Sequence, residues 1–199
     1  MTAEVDVANR ALYLIGDSRI SALLENSKRA QVCNEFFANL RDALLSRYNW
    51  QFAVTRASIA ASATAPDWGF TLAYPLPSDY LALIQANEFY AAPSLNDYRT
   101  SDDRDWVVES NQILTNWSSP LKIRYVRRVT DPNQWSALFI EALSQALAIK
   151  LQRPLAGKAD MRELRSDYQE TLDMALMRNE IESPPEVIAD DSWILGRLA

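Results

Sequence analysis

The apolar residues of this chain change period twice, which divides it into a helical stretch, a β-rich stretch and a second helical stretch. Ala8, Ala11, Leu12 and Ile15 recur in steps of three and four, and Gly16 stands where a left-handed residue would end a helix. Asn26 and Ser27 offer capping side chains for a longer helix with the stripe Ala30, Cys33, Phe37, Leu40, Leu44 and Tyr48. Lys28, Glu35, Arg41 and Asp42 are expected on its opposite, wet face. At Trp50 the pattern alternates. Trp50, Phe52 and Val54 face one way and Gln51, Ala53 and Thr55 the other, as in a half-buried strand.

From there to about Arg128 the chain reads as β-rich. Strands are expected over 69–74 and 81–90, joined by the rigid turn Pro75-Leu76-Pro77-Ser78-Asp79. Further strands over 106–109 and 112–115 flank Ser110-Asn111 as a hairpin. In the last strand Leu121, Ile123 and Tyr125 alternate with Lys122, Arg124 and Val126. Helical spacing returns at Asp131-Pro132, a capping carboxylate followed by proline. Its stripe is Trp135, Leu138, Phe139, Ala142, Ala146 and Ile149, and Pro154 ends it. Asp160 opens a fourth helix, with Met161, Leu164, Tyr168, Leu172 and Ala175 on one face, fading near Asn179. Amphipathic helices must hide their apolar faces against something. The expected fold is therefore α+β. A four-helix bundle is built from the N- and C-terminal helix pairs (residues 1–49 and 131–181), with a β-rich insertion (50–130) and an extended C-terminal tail (182–199).

The chain contains no histidine, so its commonest general base and metal ligand are both missing. Its single cysteine, Cys33, lies in a helix stripe and reads as a buried, inert thiol of a protein made in a reducing cytoplasm. Asp102, Asp103 and Asp105, like Asp190 and Asp191, lack the spacing of a calcium loop and read as solvated acidic segments. Gly157-Lys158 lacks the upstream glycine and following Ser/Thr of a phosphate loop. No catalytic, cofactor-binding or metal-binding residues are expected, and the reading is of a non-enzyme. A net charge of −6 argues against a nucleic-acid binder, which needs excess Lys and Arg. No run approaches the ~20 apolar residues of a membrane span. The acidic start Met1-Thr2-Ala3-Glu4 does not look like a secretion signal.

What remains is surface. Lys122, Arg124, Arg127 and Arg128 form the one basic cluster. It suits either the solvated side of an edge strand or a salt-bridging contact with an acidic neighbour, such as another copy. The tail carries Glu186, Asp190 and Asp191, resists helix at Ser183-Pro184-Pro185, and ends with Trp193, Ile194, Leu195 and Arg197. Such apolar groups have no use in bare solvent. The segment either packs back on its own core or anchors in a partner with Trp193 as hot spot.

A collinear set of short matches resembles the tail tubular protein A family of short-tailed bacteriophages. It includes Ala8-Asn9-Arg10-Ala11-Leu12, Leu14-Ile15-Gly16, Ser27-Lys28-Arg29-Ala30, Cys33-Asn34, Arg41-Asp42, Trp50-Gln51-Phe52-Ala53 and Arg56-Ala57. Trp68-Gly69-Phe70 with Tyr74, Leu76-Pro77-Ser78-Asp79-Tyr80-Leu81, Arg124-Tyr125, Val129-Thr130-Asp131-Pro132, Phe139-Ile140-Glu141-Ala142-Leu143 and Ser192-Trp193 continue it. The resemblance implies a head-to-tail adaptor, or gatekeeper, in the virion neck. Such an adaptor forms a dodecameric ring between the portal protein and the tail nozzle protein and lets genomic DNA pass without gripping it. It implies a helical bundle with a β-rich extension, and a C-terminal segment that docks on the portal. That docking would fall to Glu186, Asp190, Asp191, Trp193, Ile194, Leu195 and Arg197. Lys122, Arg124, Arg127 and Arg128 are candidates for contacts between subunits. A carboxylate-dependent cell-envelope hydrolase is the competing reading; it needs two carboxylates at a fixed separation in a cleft.

Overall fold

A computed structural model of the chain describes residues 3–87, 90–91, 106–155 and 160–182. The fold is α+β, with four helices and two small antiparallel sheets among the described residues. Helix α1 spans Glu4–Leu14, α2 Lys28–Arg47, α3 Ala137–Leu151 and α4 Met161–Ile181. The strands are β1 Val54–Ile59, β2 Leu72–Pro75, β3 Tyr80–Ala86, β4 Tyr90–Ala91, β5 Trp106–Glu109, β6 Gln112–Thr115 and β7 Leu121–Arg127.

The helix ends follow from local chemistry. After α1, Gly16 takes φ +73°. Its N–H donates to the Tyr13 carbonyl at 3.0 Å, and the Asp17 N–H donates to that of Leu12 at 2.9 Å. That double bond pattern is a Schellman close, which needs a left-handed residue. Ser27, Ser136 and Asp160 cap α2, α3 and α4 by accepting the N–H groups of Ala30, Phe139 and Arg162. Asp131-Pro132 starts only a 3₁₀ turn, Pro132–Gln134. The helix proper begins at Ala137, so Trp135 precedes it instead of lying in its stripe. The indole of Trp135 explains the break: its Nε1 donates to the Val129 carbonyl at 3.0 Å, folding the chain back on itself.

The alternation that began at Trp50 is also partly a turn. Gln51–Ala53 is a 3₁₀ turn, and the strand starts at Val54. Trp50 Nε1 donates to the Leu44 carbonyl at 2.9 Å, tucking the ring under the end of α2. Strand β2 begins at Leu72, later than residue 69, and the 81–90 expectation resolves into β3 and β4 as separate strands. Ser110 and Asn111 both have positive φ, 46° and 63°, and close the β5–β6 hairpin with a twist that matches the strands.

The molecule has three layers. Helix α3 is the centre of the helical layer, with α1, α2 and α4 all packed on it. The first sheet, in the order β1-β7-β3-β4, lies next, and the second, β2-β6-β5, lies beyond it. Strand β7 joins the two cores because successive side chains point to opposite faces. Val126 enters the helical core with Phe37, Trp50 and Phe139. Leu121, Ile123 and Tyr125 enter the core between the sheets with Tyr74, Leu76 and Ile113. No helix among the described residues is long and apolar enough to cross a membrane.

Candidate interaction surface

The basic cluster does not stand as one patch. Arg128 is ion-paired to Asp42 on α2, Nε to Oδ2 at 2.7 Å. Arg127 donates to the Gln134 side-chain oxygen at 2.7 Å. Lys122 and Arg124 point to one face of β7, opposite Leu121, Ile123 and Tyr125 as the alternation requires, with Arg124 level with Arg56 on β1. Both also have partners within the chain. Asp42, expected on a wet face, instead bridges two guanidiniums, because its Oδ1 accepts from Arg41 Nε at 2.8 Å. Arg41 itself is buried, only 7% exposed, and reaches Glu4 of α1 at 3.6 Å. The pattern of apolar residues could not show this, since it ranks arginine as surface; a charge network stitching α1, α2 and the residue just after β7 occupies that side.

Cys33 is buried, as expected of a core thiol, and burial with the nearby Asp17 charge pushes it up to about 11. Tyr125 is held up at about 12 by burial first, then by its hydrogen bond to Asp79 at 2.9 Å and that carboxylate's charge. Glu25 is lowered to about 2 by the Ser21 hydroxyl, the Ser21 N–H and the Ser27 hydroxyl, which all donate to it. Among the described residues no group of three or more His, Cys, Asp or Glu is placed to hold a metal ion. Asp102, Asp103, Asp105, Gly157 and Lys158 lie outside the described residues. So do the tail candidates Glu186, Asp190, Asp191, Trp193, Ile194, Leu195 and Arg197.

The surface that the residues do build has three parts. On α4, Met174, Met177 and Ile181 are 48%, 66% and 73% exposed, and their spacing puts them along one outward side. In the loop between β1 and β2, Trp68 is 87% exposed. Neither was singled out from the sequence as a surface anchor; the signal available was that these Met and Ile residues fall off the Leu164–Leu172–Ala175 stripe.

The third part is a cleft of about 580 Å³ between α1 and α3. Asn9, Arg10 and Tyr13 of α1 line it on one side, Glu141 and Gln145 of α3 on the other, and Arg19 from the connection after α1 also lines it. The two walls are finished differently. The Asn9 amide is fully used, accepting the Ile20 N–H at 2.8 Å and donating to the Ile20 carbonyl at 3.0 Å. Gln145 is 8% exposed, and its Oε1 is buried with no hydrogen-bond donor among the described residues. A buried acceptor left so is costly unless something fills the need. The chain matches no protein-family model, and no curated protein matches it significantly.

Proposed function

We propose that this protein is a structural head-to-tail adaptor of a bacteriophage, forming a ring, dodecameric as in the family it resembles, between the portal and the tail nozzle. It works in the virion neck and is assembled in the host cytoplasm. Helices α1, α2 and α4, packed on α3, serve with it as the bundle body. The segment Glu186 to Arg197 reaches the portal, with Trp193 as its anchor and Arg197 as its charged clip.

The observation that carries the reading is the pair of exposed apolar surfaces on different layers. The Met174–Met177–Ile181 side belongs to the helical layer, and Trp68 to the loop that leads into the outer sheet. A ring of identical subunits closes through two different patches, one on each neighbour. Large apolar groups left in water mark such contacts more clearly than charges do. The element order, two helices, strands and two helices, agrees with what the resemblance implies.

The test is to mix the purified chain with portal rings and image them by electron microscopy. Decorated portals carrying a ring of this protein are expected. A version ending at Ser183 should fail to decorate them. Equal decoration by both forms would remove the docking role of the tail, and no decoration by either would remove the adaptor reading.

A further inference from the structure

The α1–α3 cleft has three unmet needs that together describe a ligand. The Gln145 Oε1 needs a donor at the cleft wall. Arg10 and Arg19 make no ion pair among the described residues, in a protein whose net charge is −6. Tyr13 is 81% and Leu14 36% exposed at the rim, so apolar surface is left uncovered. A matching ligand therefore carries carboxylates, one N–H donor on an apolar body and further aliphatic groups.

We infer that this cleft is the binding site for the chain's own segment Asp190-Asp191-Ser192-Trp193-Ile194-Leu195, docked within the same molecule. The indole N–H is a donor and never an acceptor, so Trp193 suits an orphan oxygen. Gln145 lines the cleft, and docking turns its side chain to present that oxygen to the ring. The carboxylates of Asp190 and Asp191 pair with Arg10 and Arg19 in charge-assisted hydrogen bonds. Ile194 and Leu195 cover Tyr13 and Leu14. Asp6 already accepts the Ala3 N–H at 2.9 Å, and Glu141 is exposed and stays in water.

Reach favours the same molecule. Helix α4 ends beside Leu138: Glu182 and Leu138 line one groove with Trp50 and Phe52. From Leu138 to Gln145 along α3 is about 10 Å at 1.5 Å per residue. The stretch from Glu182 to Trp193 can span up to ~36 Å when extended. A tethered segment also meets its site at an effective concentration near the millimolar range, above that of any second copy in dilute solution. The inference stands whether or not the chain is an adaptor; in an adaptor, it keeps the arm folded away until a better site is offered.

The test uses the full chain labelled with 5-fluorotryptophan and read by ¹⁹F NMR, with the Trp193 signal assigned from W193F. That signal is expected to show the small solvent-isotope shift of a buried ring. In Q145M and in R10S/R19S it should move to the exposed position, with roughly tenfold faster indole N–H exchange. The other fluorotryptophan signals report whether each variant is still folded. An exposed Trp193 in the unaltered chain overturns the proposal, as does a Trp193 signal unmoved in both folded variants. A buried signal that appears only as concentration rises, with a dimer in sedimentation, overturns docking within one molecule and makes the occupant a second copy. Portals play no part in the assay, so its outcome and that of the portal experiment are independent.

Discussion

The aromatic junction and the α1–α3 cleft share one helix, but their polar groups are treated in opposite ways. At the junction Trp50 and Trp135 are nearly inaccessible, and each indole N–H has a carbonyl to donate to. Phe139 receives both rings edge-on, with centroids 5.1 Å and 5.6 Å away. Asn179 completes the lock from α4, accepting the Gln51 N–H at 2.7 Å and donating to the Asn49 carbonyl at 3.0 Å. Less than two turns along α3, Gln145 keeps an acceptor that no described residue satisfies. Full satisfaction marks a region whose task is to hold the layers together. An acceptor and two arginines without partners among the described residues mark one shaped for something else to arrive.

The contrast can be broken by substitution. Trp50→Ala empties the junction and should cost about 3–5 kcal/mol in urea unfolding, because the loss includes both transfer and cavity. A loss under 1 kcal/mol would mean that the junction is not the keystone. Asp42→Ala leaves the buried Arg41 with only the longer Glu4 contact and frees Arg128, for about 2–3 kcal/mol. That lies below the figure for a fully buried pair because the Asp42 and Arg128 side chains are 26% and 39% exposed.

On the cleft side the sign should reverse. In a chain ending at Ser183, where the tail cannot supply a donor, Gln145→Met removes an orphan acceptor at similar shape and should be neutral or stabilising by up to about 1 kcal/mol. Clear destabilisation would show that the amide is part of the core after all. The smallest effect belongs to Glu25, in the α1–α2 connection that also carries Arg19. Its folded value, about 2, is below the ordinary 4.5, so its contribution is present above pH 4.5 and lost as pH falls through about 2. Comparing acid titrations of the wild type with Glu25→Gln should show a difference in stability that closes over that window. A constant difference would place the serine hydrogen bonds elsewhere.

Much of the fold was legible. The stripe of α2, the cap at Ser27, the Schellman glycine at Gly16, the Ser110-Asn111 hairpin and the inward face of β7 all follow from spacing and turn chemistry. The misses share a cause. Trp50 and Trp135 were placed by period, as strand and helix residues, while their indole hydrogen bonds to Leu44 and Val129 put them in tight turns instead. Arg41 was assigned to water by its charge, though Asp42 and Glu4 make a buried guanidinium acceptable. Of the basic cluster, the residue types were visible, but not that Arg127 and Arg128 are used internally.

By itself the sequence determined the order of the elements, the close of α1, the starts of α2 and α4 and the want of histidine chemistry, because these depend on neighbours within a few residues. Only the tertiary structure decided that α3 is the centre, that β7 serves two cores, and that α1 and α3 leave a cleft with one acceptor unmet. Those depend on which faces meet across a hundred residues of chain, and no local period encodes that.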